Sequence, residues 1–168
     1  MARIDLPDPA TEGADQLEVT RALQLVPHFT DVVTGYERAV ARSQLDRRLH
    51  ELARYRIAQL NDCAVCLAFR WDAAGVSEDE HALVSEHDQH ATFTRAEQAA
   101  LTFAELFATN STAISDDLIT TLVEELGTAG LVDLTLVVGK YVAMGRFMQV
   151  LGLDQECQLD AARLTQRA

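Results

Sequence analysis

Proline is scarce in this chain and stands only near its beginning, at positions 7, 9 and 27. Because proline breaks helices, the long stretch after Pro27 is free to form one helix after another. Residues of high helix propensity, mainly alanine, leucine, glutamate, glutamine and arginine, dominate that stretch. No alternation of apolar and polar residues competes with this pattern. The sequence therefore predicts an all-α fold.

Basic residues and long apolar runs are also lacking. The 14 Lys and Arg face 26 Asp and Glu, and the net charge of −12 argues against nucleic acid or an anionic membrane as a partner. The most apolar run, 131–153, is interrupted by Asp133, Lys140 and Arg146, so it is typical of a core helix. Residues 1–15 lack the regions of a signal peptide. We therefore expect a cytoplasmic protein.

The length of 168 residues suits one domain. We predict a polar N-terminal lead over 1–15 and a single all-helical domain over 16–168. Helices at about 98–108 and 131–151 carry more apolar surface than one protomer readily buries, which predicts a homo-oligomer. No glycine-rich dinucleotide loop is present, so we expect no bound flavin or nicotinamide cofactor.

Helix starts and stops are marked along the chain. The first helical patterns cover about 16–26 and 28–41. Side chains that can cap a helix N-terminus stand at four later positions, Asp46, Ser77, Thr94 and Ser115. A helix from 63 to 74 is expected to close at Gly75, and another to end at Gly127, with Gly130 preceding the long apolar helix.

Cysteine occurs only at positions 63, 66 and 157. With Asn61 or Asp62 as N-cap, Cys63 and Cys66 lie in the first turn of a helix, where free amide groups and the helix dipole stabilise a thiolate. Positions i and i+3 share a helix face and lie within reach of a disulfide. The pair can also be two small apolar core residues, but the capped position and the second cysteine favour a redox dithiol. Cys157 is expected to be structural.

Zinc is a further possibility for the cysteine pair, because His87 and His90 follow it. Zinc fingers usually place roughly 12 to 15 residues between the two ligand pairs, with three to five between the histidines. Here twenty residues separate the pairs and two separate the histidines. We therefore expect no metal.

A reacting thiol needs a proton acceptor, and the preceding helix offers Glu51. In a helical hairpin, the carboxylate of Glu51 can face the turns after the cysteines. Its spacing alone favours an ordinary solvated or ion-paired glutamate, with Arg47, Arg48 or Arg54 as partner.

The stretch ELARYRIAQLNDCAVCLAFRWDAAG, residues 51–75, resembles the core of the carboxymuconolactone decarboxylase family, in particular its AhpD-like alkylhydroperoxidase branch. That core carries a glutamate twelve residues before a CxxC motif, and a glycine after the following helix. Residues 93–154, with an aliphatic run that leads to an Arg and a closing LGL, are similar to the later helices of the family. The resemblance covers roughly residues 25 to 154.

The resemblance implies an AhpD-like helical fold, trimers or hexamers, and peroxidase or disulfide-reductase chemistry. It implies that Cys66 attacks the peroxide, that Cys63 resolves the sulfenic acid to a disulfide, and that Glu51 takes part in a proton relay. The dipole argument alone would favour Cys63 as the thiol of lower pKa. Electrons would come from an external thiol or dithiol reductant, because the chain carries no cofactor motif.

One position departs from the family pattern. Many relatives have a histidine four residues after the second cysteine, where this chain has Arg70. Arginine is not a base, but it can stabilise a thiolate, bind a carboxylate substrate, or pair with Glu51 or Asp72. Two alternatives to a hydroperoxidase stay open. One is a non-redox lyase acting on a small acid, with Arg70 and His50 in its pocket, and the other is a non-enzymatic oligomer that senses redox state.

Overall fold

Helices dominate the computed structural model, which describes residues 2–9 and 16–154. Seven α-helices occur in these ranges: α1 Glu18–Gln24, α2 Pro27–Val40, α3 Arg47–Leu60, α4 Ala64–Ala68, α5 Glu78–Leu83, α6 Arg95–Thr109 and α7 Asp116–Leu151. Short 3-10 helices cover Asp72–Ala74, Val84–Gln89 and Ser111–Ala113. No strand occurs within the described residues, so the predicted all-α fold is confirmed.

The centre of the molecule is formed by α3, α6 and α7. Their facing sides bury small and branched residues that include Ala53, Ile57, Ala104 and Val138, each at most 1% exposed. Small residues allow helices to approach closely, and the branched ones fill the remaining space. A second cluster joins Cys63 and Val65 to the end of α7 and to α1. The cysteine pair therefore lies at one edge of the helical core.

Four of the predicted helix N-caps are confirmed: Asp46, Ser77, Thr94 and Ser115. Asp46 accepts hydrogen bonds from the amides of Arg48 and Leu49, and Ser115 accepts one from Leu118. Reciprocal capping boxes join Ser77 to Glu80 and Thr94 to Glu97. Each box satisfies two backbone donors that the helix itself leaves unpaired.

The helix predicted over 63–74 is much shorter than expected. Helix α4 ends at Ala68, and Phe69 is extended. Neither Asn61 nor Asp62 is its N-cap, which is Cys63. Asp62 instead has a positive φ of 49° as the chain turns between α3 and α4. A five-residue helix offers little dipole, so the dipole argument for Cys63 loses its basis.

The N-terminal residues contact the end of α7. The Arg3 amide donates to Leu151 O, and Arg21 donates to Pro7 O. At the start of α1, the carboxylate of Asp154 accepts from the amides of Glu18 and Val19. The described part of the lead, residues 2–9, thus packs on its own chain. Cys157 lies outside the described residues.

Exposed apolar surface lies on α2 and α7. Large apolar side chains that remain exposed include Phe29 and Val32 on α2, and Val132 and Leu136 on α7. Within the described ranges, no large apolar side chain between residues 98 and 108 is exposed. The expectation of excess apolar surface on that helix is therefore wrong. Assembly through apolar helices stays a prediction. No helix in the described residues is long and apolar enough to cross a bilayer.

Gly127 interrupts α7 with φ 72° and ψ 165°, as the sequence predicts. Only glycine adopts this conformation readily, and other residues pay roughly 1–3 kcal/mol there. We expect Gly127→Ala to lower the free energy of unfolding by about that amount, measured by chemical denaturation.

Gly35 supplies the matched control, because it lies in α2 and a Cβ there would meet nothing within 4 Å. Gly35→Ala should raise the free energy of unfolding by roughly 0.5–1 kcal/mol. Equal effects of the two substitutions would contradict the backbone assigned to Gly127.

Candidate functional site

The two neighbouring cysteines are joined by a disulfide, with their Cα atoms 5.2 Å apart. Cys63 is fully buried, whereas Cys66 is half-buried and lines a cavity. The predicted proximity of the pair is therefore present in the structure. The difference in burial leaves Cys66 as the member that a small molecule can reach.

The cavity next to Cys66 has a volume of about 670 Å³. Its walls come from α1, α2, α3, α4 and α7, and they are mainly apolar, with residues such as Leu23, Val33, Ile57 and Met144. A volume of this size suits a small organic ligand. The charged side chains in the wall are Glu37, Arg54 and Lys140.

Arg54 connects α3 to the segment that follows the cysteines. Its guanidinium donates to both oxygens of Glu51, each at 2.6 Å. It also donates to Cys66 O at 2.7 Å and to Phe69 O at 3.1 Å. A planar guanidinium holds several acceptors at once in fixed directions, so Arg54 fixes the backbone around Cys66.

Glu51 is placed behind Arg54 and away from the cavity wall. Its side chain is 0% exposed and forms the ion pair with Arg54 that its spacing predicts. Burial raises the pKa of its carboxyl, but the hydrogen bonds from Arg54 and His81 outweigh burial, and the pKa is lowered. A lowered pKa keeps Glu51 ionised, and an ionised partner keeps Arg54 in place.

His81, on α5, is the second partner of Glu51 and was not identified from the sequence. Its Nε2 lies 3.3 Å from Glu51 Oε1, and its Nδ1 lies 3.0 Å from Ser77 O. A carbonyl only accepts, so Nδ1 must carry a proton. His81 is therefore a second buried contact of the Glu51 carboxylate, besides Arg54.

Arg70 does not take the place of a relay histidine. Its guanidinium pairs with Glu78 at 2.7 Å, instead of Glu51 or Asp72, and lies over the ring of Tyr55. Hydrogen bonds to the carbonyls of Leu67 and Phe69 hold it at the end of α4. Arg70 is thus a structural cation at the surface and does not line the cavity.

His50 lies on the other side of α3, also outside the cavity wall. It is 3% exposed, and its Nε2 lies 3.2 Å from the hydroxyl of Tyr141. Burial lowers the pKa of His50 to about 4 and raises the pKa of Tyr141. The lyase alternative placed Arg70 and His50 in the pocket, and the structure contradicts that placement.

His87, one of the two histidines considered for zinc, is held by hydrogen bonds to other groups. His87 is buried, with its ring nitrogens near Val84 O and Thr102 Oγ1 at 3.1 and 3.0 Å. His90 is only partly buried. Over residues 2–9 and 16–154, no three His, Cys, Asp or Glu side chains converge in a way that could hold a metal ion.

Part of the chain matches a known protein family. The model of the carboxymuconolactone decarboxylase family matches residues 27–106, which include Glu51 and both cysteines. The resemblance read from the sequence is therefore confirmed over these residues. No curated protein sequence matches the chain.

Two solved structures share the fold. One is a protein of unknown function from Agrobacterium tumefaciens, described as a candidate antioxidant defence protein AhpD. It is 23% identical with a TM-score of 0.68, and the match covers 78% of this chain and 92% of the other. The second is an uncharacterized peroxidase-related protein with an alkylhydroperoxidase AhpD core from Ralstonia eutropha. It is 16% identical with a TM-score of 0.69, and the match covers 90% of each chain. The helical fold of this chain is thus that of the AhpD-like structures.

The contribution of the buried Glu51–Arg54 ion pair can be tested by measuring the free energy of unfolding. Arg54→Met leaves the Glu51 carboxylate buried without its main partner, which typically costs roughly 3–5 kcal/mol. We expect that loss in the free energy of unfolding at pH 7, measured by denaturant titration. The double variant Glu51→Leu/Arg54→Met should recover part of it, because no buried charge remains.

Arg95→Met is the control, since Arg95 pairs with two surface glutamates and is 61% exposed. Exposed pairs contribute at most about 1 kcal/mol. A similar loss in Arg54→Met and Arg95→Met would contradict the structural role of the buried pair.

The lowered pKa of the buried His50 predicts that the stability of the fold depends on pH. The pKa of His50 in the folded protein, about 4, lies below the ordinary histidine value of 6.5, because burial disfavours the charged imidazole. Between these pH values the unfolded chain binds the proton and the folded chain does not, so stability is lost as the pH falls from 6.5 to 4. The difference between the unfolded and the folded pKa of His50 corresponds to a loss of about 3 kcal/mol in the free energy of unfolding.

Denaturant titrations from pH 7 to pH 4 test this dependence. We expect His50→Gln to flatten the profile, and His28→Gln to leave it unchanged because His28 is exposed. A profile of His50→Gln that parallels the wild type would rule out a neutral buried His50.

Proposed function

We propose that this protein is a thiol-dependent hydroperoxidase of the peroxiredoxin type that uses the Cys63–Cys66 pair. One observation carries the proposal: a closable dithiol has one member, Cys66, in the wall of an apolar cavity and the other, Cys63, buried behind it. A peroxide in the cavity meets a single sulfur, and the second sulfur is already within bonding reach.

The reaction has two steps at the cysteines. The Cys66 thiolate attacks the terminal oxygen of ROOH, the O–O bond breaks, and RO⁻ takes a proton to leave as ROH. The sulfenic acid on Cys66 then reacts with the Cys63 thiol, forming the disulfide and releasing water. The peroxide is reduced by two electrons and the dithiol is oxidised by two.

An external dithiol must return the enzyme to its reduced form. Exchange with that dithiol reduces the Cys63–Cys66 disulfide and oxidises the reductant in turn. The family core and the AhpD-like fold support an antioxidant role of this kind.

Glu51 has a supporting part in this scheme. Its carboxylate fixes Arg54, and Arg54 holds the carbonyl of Cys66, so the pair positions the attacking residue. Glu51 also takes part in the proposed proton relay, and His81 lies 3.3 Å from its carboxylate. Arg54 is too basic to pass a proton at neutral pH, so its part is to hold the backbone of Cys66 in place.

Stopped-flow oxidation of the reduced protein tests the proposal, with thiol counting and mass analysis of the product. We expect hydrogen peroxide or an alkyl hydroperoxide to consume two thiols rapidly in the wild type. Cys63→Ser should accumulate a sulfenic acid on Cys66, because no resolving thiol remains.

Cys66→Ser is the matched control and should form no sulfenic acid at a comparable rate. A sulfenic acid in Cys66→Ser but not in Cys63→Ser would reverse the two roles. Oxidation of the wild type no faster than that of free cysteine at the same pH would exclude peroxidase activity.

A further inference from the structure

A second charged pair lies in the cavity wall. Lys140 is 6% exposed, and its Nζ lies 2.7 Å from Glu37 Oε2 and 3.9 Å from the centre of the Tyr141 ring. A buried ammonium is rare unless it is paired. Burial lowers the pKa of Lys140 and Glu37 opposes that shift, so the ammonium depends on a carboxylate partner.

The two cations of the wall differ in whether their partner can leave. Glu51, the partner of Arg54, is 0% exposed and bound through both oxygens. Glu37, the partner of Lys140, has a side chain that is 48% exposed, and its Oε2 lies 2.7 Å from the buried Nζ of Lys140. Glu37 can turn into water when another carboxylate takes its place on Lys140, because the buried ammonium then stays paired throughout the exchange.

The separation of Lys140 from the cysteines can be gauged along α7, because a later residue of that helix packs against Cys63. Met148, eight residues later, packs in the same cluster as Cys63 and Val65. At about 1.5 Å per residue, eight residues correspond to roughly 12 Å of helix. Apolar wall residues, including Met144 and Ile57, line the cavity together with these two ends. The cavity thus joins a cation to a thiol through an apolar space.

We propose that this cavity binds a medium-chain aliphatic carboxylate, whose carboxylate replaces Glu37 on Lys140 and whose chain extends toward Cys66. Where the proposed peroxidase function holds, on which this extension rests, the substrate is a hydroperoxide of an aliphatic carboxylic acid. Glu37 acts as the internal occupant of the carboxylate position when no ligand is bound.

Calorimetric titration of the oxidised wild-type protein with decanoate, and with decanol as an uncharged probe of the same chain, tests the site without any turnover. We expect decanoate to bind at least about tenfold more tightly than decanol, because its charge meets the buried ammonium. Lys140→Met should remove that preference and leave the affinity for decanol within about twofold. Glu37→Gln should raise the affinity for decanoate several-fold, because the competing carboxylate is gone.

Arg95→Met serves as the control, since it removes a cation in a surface ion pair and should change neither affinity. Equal binding of the two probes, an equal loss of both in Lys140→Met, or binding of neither would overturn the proposal. Decanoate binding without peroxide reduction would sink only the peroxidase function. Peroxide reduction without decanoate binding would sink only the carboxylate site.

Discussion

The contact between Arg54 and Glu51 is the interaction on which the site depends. One guanidinium joins a carboxylate on its own helix to two carbonyls of the segment after the cysteines. A buried guanidinium is costly unless its donors are used, and Glu51 together with Cys66 O and Phe69 O uses them. Charge-assisted hydrogen bonds from Arg54 thereby hold the backbone around Cys66 against α3. They take the place of the backbone hydrogen bonds that a longer α4 would form.

This constraint also explains why α4 is short. In a longer helix, the carbonyl of Cys66 would accept from the amide of the residue four positions later. Here Arg54 takes that carbonyl, and Arg70 takes the carbonyl of Leu67, so two arginine side chains satisfy the end of the helix. The chain is then free to turn outward and to reach α5, which brings His81 to Glu51.

Local signals were predictable from the sequence, and remote ones were not. Capping at Asp46 and Thr94 and the break at Gly127 depend on a few neighbouring residues, which the sequence shows directly. The helix expected over 63–74 failed because its carbonyls are taken by side chains that periodicity does not reveal. The pair of cysteines and the ion pair of Glu51 with Arg54 could be predicted, since each lies within one turn.

The remaining members of the site come from distant positions. His81 lies 30 residues from Glu51, and Tyr141 lies 80 residues from Asn61. Only the packing of α7 on α3 brings Tyr141 and Asn61 together, and that packing requires a glycine at position 145. A Cβ on Gly145 would lie 2.2 Å from Asn61 Nδ2, so the absent side chain makes room for the amide that donates to Tyr141 O.

Cys66 thus lies between two environments of opposite character. On one side, the buried Glu51–Arg54 pair on α3, with His81 from α5 beside it, fixes its backbone. On the other side, an apolar cavity is lined by α7, whose register is set by the contact of Gly145 with Asn61. Arg54 is part of the cavity wall, but its guanidinium is bound to Glu51 and to two backbone carbonyls, so an organic molecule can reach the sulfur without displacing the groups that position it. The imidazole that contacts Glu51 comes from His81 on α5, whereas Arg70 is paired with Glu78 at the end of α4.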